Sequence, residues 1–239
     1  MTARLRSDAA AGARAMLPWL LAVAPFGLVI GVSAGRARIS TGAGWFTGPT
    51  IYGGSAQVAA IDMLDAGVSA WPVIATVLVI NLRLVFYSAA LARYWRDTPL
   101  WWRLLAGYLL VDPSFVVGSR RYADSPRSAA ALRSSHAYYL AGAAVLWVGW
   151  LAALGVGAVA GSSVPAGLHL ELLVPLYLLG QIMPNLRQAT TRRATLVSGV
   201  VAAAGVAAPL HLGIAVGIVV GLVAGSLSAA SLSTQEGRS

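Results

Sequence analysis

The chain has 239 residues, of which 58% are hydrophobic and only 10% charged, and its mean hydropathy is +0.73. Soluble domains carry roughly 25% charged residues, so a soluble protein of this size would lack the polar surface it needs. A net charge of +9 invites a nucleic-acid reading, but the Arg residues fall in short clusters between apolar runs, where membrane proteins place cytoplasmic loops. The absence of Cys excludes disulfides, thiolate catalysis and Cys-ligated metals.

Eight apolar segments follow in order, at 17–35, 45–61, 71–92, 104–119, 136–161, 172–184, 194–208 and 211–227. Arg4, Arg6 and Arg14 precede the first, which resembles a signal peptide. With seven more segments behind it, it reads better as a retained span. Pro25-Phe26-Gly27 interrupts its middle. The second segment contains Gly48-Pro49 and the run Gly53-Gly54-Ser55-Ala56-Gln57. The third is long enough to span a hydrocarbon layer of about 30 Å, yet holds Asn81-Leu82-Arg83 near its midpoint. Asp112-Pro113 breaks the fourth, the fifth runs long without Pro, and Pro175 and Gly180 break the short sixth.

Pro removes a backbone donor and disfavours helix in the residue before it. In lipid the freed groups must be met by protein or a wet cavity. Short segments broken by Gly or Pro therefore point to a transporter's binding site. Basic clusters at 4–14, 36–38, 93–103, 120–133 and 187–193 constrain the topology. If every segment crossed, 93–103 and 120–133 would lie on opposite sides although both are rich in Arg. A segment around Asp112-Pro113 that enters and returns on one side removes the conflict, and the first segment, flanked by Arg at both ends, raises it again. The expected fold is an all-α integral membrane protein, a polytopic helical bundle of six or seven full spans with one or two broken or re-entrant segments. Residues 1–16 form a basic tail, 17–228 the membrane domain and 229–239 a C-terminal tail. No convincing internal sequence repeat is visible.

Within the apolar segments the ionisable residues are Arg83 and Asp112, each near the middle of its own segment. A central Arg costs on the order of 2.5–3.5 kcal/mol by insertion scales, so something polar must receive it. The two are expected to meet inside the bundle, to bind the carboxylate and amine of a zwitterion or to pass a proton; the alternative is a purely structural clamp. Asn81 and Arg83 lie two apart and face different ways on a regular helix, so they serve different neighbours or the helix is distorted. Gly53, Gly54, Ser55 and Gln57 form the second candidate site, where small residues allow close approach and Ser and Gln supply polar atoms; helix packing is the competing explanation. His136, His169 and His211 are single and fall at segment ends, and no nucleophile–base set is visible. No metal, no cofactor and no enzymatic activity is expected.

The order Pro25-Phe26-Gly27, Gly54-Ser55-Ala56-Gln57, Asn81-Leu82-Arg83 with Tyr87, then Asp112 and Phe115, resembles the AzlC family, the large subunits of bacterial branched-chain amino acid exporters. The likeness covers roughly residues 15 to 230. It implies a multi-pass permease of the bacterial inner membrane, exporting branched-chain amino acids and in some members methionine, driven by the membrane gradient. It also implies a small hydrophobic partner of the AzlD type. Two positions depart from the family pattern. Leu84 stands where His typically follows the Arg, and Pro113 where Glu typically follows the Asp. A channel or uniporter, or a non-transporting membrane subunit, remains the alternative on the residues alone.

Overall fold

The computed structural model describes residues 2–126, 128–161 and 189–204. The chain forms two compact units, Met1–Glu171 and Leu172–Ser239. In the first lie α1 (Thr2–Arg36), α2 (Thr41–Ile51), α3 (Gly54–Asp65), α4 (Ala70–Trp95), α5 (Leu100–Tyr108), α6 (Asp112–Ala123) and α7 (Ala129–Ala160). The described part of the second is one helix, α8 (Ala189–Ala204), which overlaps the expected segment 194–208 and begins before it. No strand occurs among the described residues. The expected segments 172–184 and 211–227 lie outside them, and so does the tail 229–239.

Three described helices, α1, α4 and α7, are long and apolar enough to cross a membrane. The helix α1 runs unbroken through Pro18 and Pro25, so Pro25-Phe26-Gly27 does not break the first segment as expected. Beside it, α7 packs along the length of α1 through small residues. A Cβ on Gly31 would collide with the Leu154 carbonyl oxygen, one on Gly157 with that of Leu28, and one on Gly12 with that of Tyr138. Without a hydrophobic drive between helices in lipid, such close approach supplies the van der Waals contact that holds them. The pairs Gly12 with Tyr138, Gly31 with Leu154 and Gly35 with Ala158 advance together, so α1 and α7 run parallel.

The helix α4 runs the other way. Its C-terminal Trp95 packs on Trp102 and Tyr139, near the start of α7. Between the spans sit two short helix pairs, and each is re-entrant. The first pair, α2–α3, begins with Gly44 against Ala34 and ends with Asp65 bonded to the backbone N–H of Arg38 at 2.6 Å. Both of its ends therefore lie beside the C-terminus of α1. The second pair, α5–α6, starts and finishes at the opposite end of the bundle. There Trp102 of α5 and Tyr122 of α6 both reach Trp95 and His136.

A span followed by a re-entrant pair thus occurs twice, with opposite sense, although the sequence shows no repeat. The arrangement settles the charge conflict. Arg4, Arg6, Arg14, Arg93, Arg96, Arg103, Arg120, Arg121 and Arg133 gather at one end, and Arg36 and Arg38 share the other with Asp62 and Asp65. Such a bias is the one that the cytoplasmic ends of membrane proteins carry. It is the second and fourth segments that turn back, while the first forms one helix long and apolar enough to cross.

Candidate functional site

Each re-entrant pair breaks at its tip, and both breaks lie beside the middle of α4. The first follows Gly48-Pro49. Tyr52 closes α2 with φ 40°, the left-handed region, donating its N–H to the Gly48 carbonyl at 3.0 Å. A non-Gly residue there is uncommon and costs roughly 1–2 kcal/mol, so the tip is held by its surroundings. Tyr108 donates its hydroxyl to the Pro49 carbonyl at 2.6 Å, and Asn81 Nδ2 reaches the Ile51 carbonyl at 3.4 Å. The second break spans Leu109–Val111. There Ser114 Oγ accepts from Val111 N at 2.8 Å and lies 3.0 Å from the Leu109 carbonyl oxygen. These side chains meet backbone carbonyls that the breaks leave open, as helix interruptions buried in protein at membrane depth do.

After each break a new helix starts, so the positive N-terminal ends of α3 and α6 both arrive at the level of Arg83. The Arg83 guanidinium holds Asp112 at 3.0 Å and stands 3.5 Å from Ser55 Oγ. Tyr87, one turn further along α4, donates its hydroxyl to Asp112 Oδ1 at 2.9 Å. Pro113 follows Asp112 in the first turn of α6, where its missing N–H costs nothing and its fixed φ suits the helix start. About a third of each charged side chain stays accessible, 37% for Arg83 and 30% for Asp112. The pair is therefore only partly covered within this unit. In addition Arg83 Nε is buried without a partner among the described residues, a spare donor beside the carboxylate it already holds.

The structure brings together Arg83, Asp112 and Ser55, with Gly53 and Asn81 at their side. Asn81 fills the space at Gly53, where a Cβ would come within 2.7 Å of Asn81 Oδ1. The helix α4 is regular from Ala70 to Trp95, so Asn81 and Arg83 do serve different neighbours, the first tip and the carboxylate. Gly54 faces the ring of Phe26. Gln57 is set apart, fully buried, bonded through Nε2 to Thr47 Oγ1 at 2.9 Å and lying close to Gly48. It holds the inside of the first pair rather than joining the Arg83 group. Tyr87 and Ser114 are the residues that sequence reasoning left out of the site. The spacing of four between Arg83 and Tyr87 carries a signal for the first. Nothing in the sequence marks Ser114.

A family model described as AzlC protein matches residues 18–164. The chain belongs to the AzlC family. The match runs from α1 through α7 and includes all the residues of the Arg83 group. No curated protein and no solved structure matches the chain.

In this AzlC chain Tyr87 stacks on Phe115, with ring centroids 4.3 Å apart and planes at 10°. The substitution Tyr87→Phe keeps that stack and removes only the hydroxyl on Asp112. A hydrogen bond to a charged group is worth about 1.5–3 kcal/mol, so any transport that depends on this group is expected to fall on the order of tenfold, read as an initial rate, with unchanged protein level in the membrane.

Proposed function

We propose that the chain is a secondary permease that exports branched-chain or similar apolar amino acids across the bacterial inner membrane. The observation that carries this reading is the Arg83–Asp112 pair at mid-depth on α4, where two half-helix N-termini converge from opposite ends of the bundle. Broken helices whose N-termini face a substrate carboxylate are the usual construction of secondary transporters.

In this mechanism the amino acid enters between the charges. Its carboxylate takes Arg83, the Ser55 hydroxyl and the first-turn N–H groups of α3, which have no side-chain cap. Its ammonium takes Asp112, already oriented by Tyr87. One ion pair is exchanged for two, so the buried charges stay compensated throughout, which a low-dielectric site demands. Aliphatic and aromatic side chains beside the pair accept the apolar side chain. The two oppositely directed helix pairs supply the moving parts for exposing the site to each side in turn. No bond is made or broken in the solute, so no enzymatic step and no cofactor is invoked. A small hydrophobic AzlD-type subunit is the proposed partner.

Efflux of labelled valine, leucine and methionine from loaded cells, with and without the gene, tests the reading. Accelerated efflux that collapses with a protonophore is expected. Efflux indifferent to the protonophore would make the chain a channel or uniporter, and unchanged amino acid pools would make it a non-transporting subunit.

A further inference from the structure

A cavity of about 460 Å³ opens at the Arg-rich end of the bundle, lined by Arg93, Tyr94, Tyr122, Ala123, Ser125 and Leu132. Its volume falls within the range of small-molecule sites. It lies at the foot of the seam between α4 and α6, the same seam that carries Arg83 and Asp112 further in. Two stacked ring pairs bridge that seam. Tyr94 lies on Tyr122 with centroids 4.8 Å apart, and Tyr87 on Phe115. The spacing from Tyr94 to Arg83 along α4 corresponds to roughly 16 Å at 1.5 Å per residue.

The two rings of the outer pair are held differently. The Tyr122 hydroxyl accepts from Trp95 Nε1 at 3.2 Å and bonds His136 Nδ1 at 2.8 Å. The helix behind it is pinned, since Arg121 pairs with Asp8 at 2.9 Å and both bond Ser134. Tyr94, by contrast, has no hydrogen bond among the described residues. Its ring carries the Arg93 guanidinium at 4.7 Å from the centroid, and Arg93 has no ion pair among them either. Among the described residues Arg93 thus has no counter-ion, and the ring beneath it is the one of the outer pair that no hydrogen bond fixes.

We propose that this cavity is the vestibule from which an apolar amino acid enters the α4–α6 seam. Arg93 receives its carboxylate, and the two stacked ring pairs are closed shutters between the vestibule and Asp112. Turning Tyr94 to another staggered rotamer opens the outer shutter without moving either helix. This assignment rests on the permease reading and adds to it a first binding position on the cytoplasmic side.

The chain has no Cys, so Ala123→Cys places a single thiol on the cavity wall for labelling by a negatively charged methanethiosulfonate from the Arg-rich side. Valine at about twice its half-saturating concentration fills roughly two thirds of the sites and is expected to slow labelling about threefold. Separately, Arg93→Gln is expected to raise the half-saturating internal valine about tenfold, the loss of one charge-assisted contact. The maximal rate should stay within about twofold of wild type, and Arg93→Lys should recover most of the difference. The assignment is overturned if wild-type vesicles transport valine while valine leaves the labelling rate unchanged. It is equally overturned if labelling is slowed by phosphatidylglycerol relative to phosphatidylcholine and not by valine, which would make the cavity a lipid headgroup site. Vesicles in which the wild type moves no amino acid sink the permease reading itself, and the vestibule with it.

Discussion

Neutralising either member of the central ion pair is expected to cut amino acid efflux by on the order of 100-fold or more, the factor given by about 3 kcal/mol for a lost charge-assisted contact. The variants are Arg83→Gln and Asp112→Asn, assayed by labelled efflux beside a blot of membrane-inserted protein. Each single variant strands the other charge, so reduced stability alone could lower transport. The double variant separates the two causes. With both charges removed nothing is left uncompensated, and replacing both members of a buried pair is often neutral for stability. If the pair only clamps α4 to α6, the double variant should transport. If it binds the solute's two charges, the double variant should insert and fold but stay inactive. Normal efflux in the double variant would end the site assignment.

The second large effect concerns the contact of α1 with α7. Gly31→Val is expected to destabilise the protein by at least about 3 kcal/mol, at or beyond the upper end of ordinary overpacking. The reason is that the collision is with backbone: the Leu154 carbonyl oxygen, the Ala158 nitrogen and the Gly157 Cα all crowd the new side chain. Flexible side chains can swing aside, whereas two helices must separate along their length. Gly42→Ala is the control, since a Cβ there meets nothing within 4 Å, and its stability should lie within about 0.5 kcal/mol of wild type. Thermal unfolding in detergent, followed by size-exclusion recovery, measures both. Equal recovery of the two variants would show that the close approach of α1 and α7 does not hold the unit together.

Much of the site was legible before any coordinates. Arg83 and Asp112 stood out because charge is scarce in the apolar segments, and a charge at mid-span needs a partner. Gly53 to Ser55 stood out because a double glycine opens a helix. The Asp112-Pro113 break gave the second re-entrant pair through the charge conflict of its flanking loops. Other features were misread or invisible. Pro25 resembled a break, yet α1 continues through it. Gln57 resembled a ligand-facing residue, yet Thr47 and Gly48 enclose it. Tyr94 and Tyr122 meet 28 positions apart, and no local pattern announces such a pair.

Composition and segment spacing alone determined that the chain is helical, that it belongs in a bilayer, and which two charges its interior has to compensate. These follow from the cost of exposing polar groups to hydrocarbon, which acts on every residue wherever its neighbours are. Only the tertiary structure decided that the second segment turns back as well, from the opposite end to the fourth, that their new helix starts converge on Arg83, and that ring pairs close the seam below. Those depend on which distant side chains come within a few ångströms of one another, and short-range contact leaves no trace in linear order.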